Sequence, residues 1–146
     1  MGFEELKKYQ EVQNVVRFTL DSITDFIKPC ITETDLVEKC HDLQLKAGID
    51  GYWYKSLPAL VLTGNHTTLA ISSAQYNPSN VPIQVNDLVT IDLNPSIAGY
   101  CGDYARTFYV EMGLLAGHHY LIKNLLQARM HKFICTLNYY RLPIKI

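Results

Sequence analysis

The chain has 146 residues, a net charge of −1 and 48% hydrophobic residues, an ordinary globular composition for one domain. The balanced charge gives no support for nucleic-acid or membrane-surface binding. No apolar run approaches the roughly 20 residues of a membrane span, and no secretory signal pattern opens the chain.

Residues 4–27 carry Leu6, Val12, Val16, Leu20, Ile23 and Ile27 at helical spacing, which predicts a long amphipathic helix ended by Lys28 and Pro29. Thr32 to Asp35 is a capping sequence for a second helix. Its apolar positions are Leu36, Val37, Cys40, Leu43 and Leu45, and Gly48 closes it. Pro58 to Asn65 reads as a strand leading into a Gly-Asn turn. Asn77 to Pro82 reads as a loop.

The acidic stretch that follows is the most informative. Residues 88–93 and 100–110 are rich in β-formers, and Asn94 to Gly99 joins them with turn residues. A turn centred on Ile97 and Ala98 sets Asp92 directly across from Asp103, with Cβ atoms about 5 Å apart. Two like charges so placed are destabilising unless a cation sits between them. Hard divalent cations take oxygen ligands, which makes the pair a candidate metal site. Ile-Ala is a poor residue pair for a tight hairpin turn, so a longer loop or a bulge would shift the facing by a residue. Alternation groups Asp92 with Thr90 and Asn94, and Asp103 with Cys101, Ala105 and Thr107.

Beyond the hairpin, residues 114–133 have helical spacing through Leu115, Leu121, Leu125, Leu126 and Met130. His118 and His119 are adjacent and point apart on such a helix, and with His131 they read as solvent-facing. Ile134 to Ile146 is an apolar tail without a polar face. The four cysteines, Cys30, Cys40, Cys101 and Cys135, form no C-x-x-C pair, so a structural zinc site is not expected and a reduced compartment fits. Cys101 suits packing as well as metal contact.

The run from Asp87 to Glu111 resembles the metallopeptidase family of methionine aminopeptidases, Xaa-Pro aminopeptidases and prolidases, known for its pita-bread fold. In that family a strand with Asp, a Gly-rich turn and a second strand with Asp supply two ligands of a dinuclear metal centre. The matching positions are Asp92 and Asp103. Gly99 to Gly102 and Arg106 to Phe108 look closer to the Xaa-Pro branch. The helix, Pro-containing break and second helix are also similar, so the likeness spans about residues 4–112.

The resemblance implies an α+β fold, the N-terminal half of the pita-bread architecture, with an antiparallel sheet and two or three covering helices. One domain over residues 1–146 is expected, family-like to 112, helical over 113–133 and atypical over 134–146. The implied activity is that of a cytoplasmic, metal-dependent aminopeptidase of Xaa-Pro or methionine type. Its cofactors would be two divalent ions (Mn, Co, Zn or Fe) and its substrate a peptide.

Two departures bear on that activity. The family's substrate-contacting His has no counterpart between Ala70 and Pro78, and His66 sits too early to match it. A surface position is the plainer reading of His66, a site role the sharper one. The family also completes its centre with one His and two Glu, and these three of the five expected ligands have no match here. The expectation is a truncated chain, inactive alone, completed by a second copy or by a missing C-terminal half. The alternatives are a non-catalytic peptide-binding remnant or interaction module, and a structural protein that uses the hairpin only for packing.

Overall fold

The computed structural model describes residues 2–110 except Ser73. The first apolar stripe forms α1 (Phe3–Ile23). Val12, Val16, Leu20 and Ile23 recur every third or fourth residue and are fully buried. Leu6, expected on the same stripe, is 45% exposed, one turn ahead of Tyr9, whose ring meets Tyr100 edge-on (centroids 5.0 Å apart). The helix also stops earlier than expected. A 3₁₀ turn, Thr24–Phe26, follows it, and the Thr24 hydroxyl donates to the Leu20 carbonyl. Ile27 is buried beyond that turn.

The second helix, α2 (Glu33–Lys46), starts where the capping sequence predicts. The Asp35 amide donates to Thr32 Oγ1 (3.1 Å), and the Thr32 amide donates to Asp35 Oδ2 (2.8 Å), so two otherwise unpaired donors are satisfied reciprocally. The Thr32 hydroxyl and amide hold the Asp35 carboxyl below its usual value. Gly48 follows the helix with φ of 88°, the left-handed conformation suited to a helix end. Leu45 is 51% exposed and Gln44 is buried instead, so the inward face is rotated from the expected one. Gln44 remains satisfied as a donor, to the carbonyls of Cys40 and Pro58.

The strands are β1 (Gly51–Tyr52), β2 (Ala59–Thr63), β3 (Leu88–Leu93), β4 (Pro95–Ile97), β5 (Tyr100–Cys101) and β6 (Tyr104–Tyr109). They make two antiparallel three-stranded sheets, in the orders β1-β4-β5 and β2-β3-β6. β3–β4 and β5–β6 are the two arms of one hairpin, whose register is the same in both sheets. Val89, Ile91 and Leu93 alternate inward along β3 and are fully buried together with Phe108 of β6 and Val61 of β2. α1 packs on β4, β5 and β6, and α2 packs on β2. The expected mixed fold with an antiparallel sheet and covering helices is therefore present. No helix among the described residues is long and apolar enough to cross a membrane. The helix expected over 114–133, its three histidines and the tail lie outside the described residues.

Candidate metal centre

The hairpin tip is Ala98–Gly99, with φ of 50° and 80°, one residue further along than Ile97–Ala98. Both tip residues are left-handed, as a two-residue type I′ turn requires. Ala98 accepts that conformation although it has a Cβ. Its amide donates to the Asp50 carboxylate at 2.6 Å, a charge-assisted bond from far along the chain.

This shift corrects the expected facing. Asp92 pairs with Ala105, not with Asp103. The shared register of the two hairpin segments sets Asp103 opposite Asn94. Asp92 and Asp103 are therefore diagonal neighbours on one sheet face, a relation that separates Cα atoms by about 7–8 Å. They still meet electrostatically. Burial and then the Asp103 charge push the Asp92 carboxyl up from 3.8 to about 6. Desolvation also raises Asp103, which lies at the surface. Thr90 and Thr107, a directly opposed pair, share a hydrogen bond on the same face (3.0 Å).

Three contacts fix the backbone under the acids. Gly102 precedes Asp103 and is buried against α1: a Cβ there would lie 2.8 Å from Val12 Cγ2. Its amide donates to the Pro95 carbonyl (2.8 Å). Asn94, also buried, donates its side-chain amide to the Leu57 carbonyl (3.0 Å), which ties the β1–β2 loop to the hairpin.

The donor chemistry suits a hard divalent cation: two carboxylates on one face, both disfavoured in their charged form, Asp92 the more so, until a cation balances them. They are oxygen ligands for part of such a site. Among the described residues, no group of three or more His, Cys, Asp and Glu is placed to hold an ion. Cys101 is exposed with a free thiol.

His66 stands apart from this pair. It lies in the 3₁₀ segment Gly64–Thr68, after the end of β2 that pairs with Val89, whereas Asp92 pairs with Leu60 further along β2. Its Nδ1 lies 3.0 Å from Glu33 Oε1. Glu33, at the start of α2, is fully buried and also accepts from the Thr63 amide and hydroxyl and from the Ser79 amide. The carboxylate thus fastens α2, β2 and the 79 region together. Nothing in the local sequence distinguished Glu33 from an ordinary first-turn acid, because its partners come from distant segments.

The profile of metallopeptidase family M24 matches residues 7–131. The chain is 32% identical over 98 residues to the methionine aminopeptidase of Rickettsia prowazekii (strain Madrid E), covering 63% of this chain and 35% of that protein. Among solved structures, the Xaa-Pro dipeptidase from Bacillus anthracis shares the fold with a TM-score of 0.64 at 23% identity. That match covers 86% of this chain and 33% of the dipeptidase. The X-Pro aminopeptidase from Thermotoga maritima MSB8 gives a TM-score of 0.63 at 17% identity, over 75% of this chain and 29% of the other. The chain thus spans about a third of the length of these relatives and matches the N-terminal portion of the pita-bread fold. With the profile match spanning most of its length, the chain belongs to metallopeptidase family M24.

Proposed function

We propose that Asp92 and Asp103 are metal ligands of a metal-dependent aminopeptidase of the Xaa-Pro or methionine type, and that this chain alone turns over no peptide. The observation that carries the reading is the acidic pair on one sheet face, with Asp92 raised by burial and by the charge of Asp103. Divalent ions, when bound, lower the pKa of a coordinated water and polarise the scissile carbonyl. The chain's own share is to supply two carboxylate ligands from a rigid hairpin. The Val12–Gly102 contact and the Asn94 bond hold that hairpin in place. Such precision matters, because a misplacement of about 1 Å can cost ~100-fold in rate.

The inactivity reading rests on the donor count among the described residues, since two carboxylates alone bind an ion weakly and leave its geometry unfixed. The remaining ligands would come from a longer product, a C-terminal half or a second copy. The free thiols of Cys30, Cys40 and Cys101 support a reducing, cytoplasmic setting. Calorimetric titration of the chain with Mn(II) or Co(II), with Asp103→Ala as control, tests the ligand assignment. Equal heats from both proteins would refute it. Incubation with Met-peptides and Xaa-Pro peptides plus metal tests the second half, and turnover well above background would overturn the inactivity.

A further inference from the structure

Trp53 is the chain's single tryptophan, and it sits in the loop that crosses from one sheet to the other. Its indole Nε1–H donates to the Gly102 carbonyl at 2.7 Å. Its backbone amide donates to the Asn94 carbonyl at 3.1 Å. One residue therefore grips both arms of the hairpin, immediately before Asp103 on one arm and two residues after Asp92 on the other. We infer that Trp53 is a positioning residue for the acidic pair, holding the two backbone stretches that present Asp92 and Asp103 at a fixed spacing. This inference rests on the metal-ligand reading above.

The surroundings favour a positioning role over simple packing. Trp53 is 44% exposed, so core burial is not its main contribution. The loop is held in a costly conformation: Lys55 and Ser56 both have positive φ, 48° and 59°. Left-handed conformations are costly for non-glycine residues, and such strain persists only where the surroundings enforce it. The Leu57 amide bonds to the Tyr54 carbonyl, and Asn94 holds the Leu57 carbonyl, so the loop is closed on itself and on the hairpin. Gly102 meets α1 on one side and bonds the indole through its carbonyl. Removing the indole N–H leaves that carbonyl without its donor and frees one side of the clamp. Residues that orient metal ligands without touching the ion typically change metal affinity by about 10–100-fold.

The test uses the full chain and Mn(II), with free ion read by electron paramagnetic resonance so that no activity is needed. Trp53→Phe keeps an aromatic ring and removes the N–H. Replacement of Trp53 by benzothienylalanine keeps the bicyclic shape, removes only the donor, and serves if the Phe variant does not fold. The expected result is Mn(II) binding by the wild type, its loss in Asp103→Ala, and at least a tenfold weaker Kd without the N–H, read well below the thermal midpoint of each protein so that every variant is folded. A Kd equal to wild type without the N–H, with binding still lost in Asp103→Ala, overturns the positioning role alone. Binding retained in Asp103→Ala, or absent from the wild type, overturns the ligand reading and the positioning role with it.

Discussion

Gly102→Ala is expected to destabilise the protein by contact alone. Gly102 is not among the residues with positive φ, so alanine can adopt its backbone without strain. The added Cβ would meet Val12 Cγ2 at 2.8 Å, Val16 Cγ1 at 3.2 Å and the Pro95 ring at 3.3 Å. The first distance is too short for any real Cβ, and Val12 and Val16 are fully buried in α1, so α1 or the hairpin must move. Overpacking of this kind costs about 1–3 kcal/mol. Val12→Ala deletes the offending methyl. Alone it should cost about 2 kcal/mol in lost burial and a small cavity. Together the two changes partly cancel, because the new methyl enters the space that Val12 vacates. The double variant should therefore be about 1–2 kcal/mol more stable than the sum of the singles predicts. Urea unfolding followed by circular dichroism measures all four proteins, with an unchanged m confirming that the states are comparable. Strict additivity, or a neutral Gly102→Ala, would show that α1 does not press on the hairpin here.

Asp92→Asn should stabilise the metal-free protein at pH 7. The folded pKa of about 6 lies above the usual 3.8, so Asp92 favours folding fully below pH 3.8 and loses that contribution as pH rises through 6. The interval caps the effect at about 3 kcal/mol, and solvent screening at a partly exposed group lowers it to about 1–2. Unfolding midpoints from pH 4 to 7.5 should fall less steeply for the variant, and identical slopes would contradict the burial of Asp92. Glu33→Ala should cost about 2–4 kcal/mol in thermal unfolding, since it leaves the half-buried Thr63 and Ser79 amides without their acceptor. A loss below 1 kcal/mol would mean that water replaces the carboxylate. Thr32→Ala should cost about 1 kcal/mol through the lost cap, with Thr32→Ser near wild type; equal midpoints for all three proteins would deny the cap its role.

Where local pattern decides structure, the sequence was readable. The buried stripe of α1 from Val12 onward, the Thr32 cap and the inward alternation of β3 all follow from spacing and side-chain type. The misreadings share one physical cause, dependence on partners far away in the chain. Leu6 is exposed one turn ahead of the Tyr9–Tyr100 contact, and Gln44 replaces Leu45 inside because the Pro58 carbonyl takes its amide. The hairpin slipped by one position because Asp50 stabilises a left-handed Ala98, which no nearby residue announces. At the candidate centre, both aspartates and their shared face were legible, whereas their diagonal relation was not. Trp53 carried no local signal of its role, and Asn94, legible as a turn residue on the face of Asp92, gave no sign of its bond to the Leu57 carbonyl. A lone tryptophan upstream of the acidic hairpin was the only available hint, and it gave no indication of which carbonyl the indole would meet.

The tip at Ala98–Gly99 also sets a rule for insertions and deletions. Surface turns usually tolerate changes in length, but this one connects arms that stay in a single register through both sheets. Adding or removing one residue there would turn Asp103 to the opposite side of its arm, away from Asp92. Length variation among descendants of this chain should therefore gather in the stretch before β3 and avoid the two-residue tip.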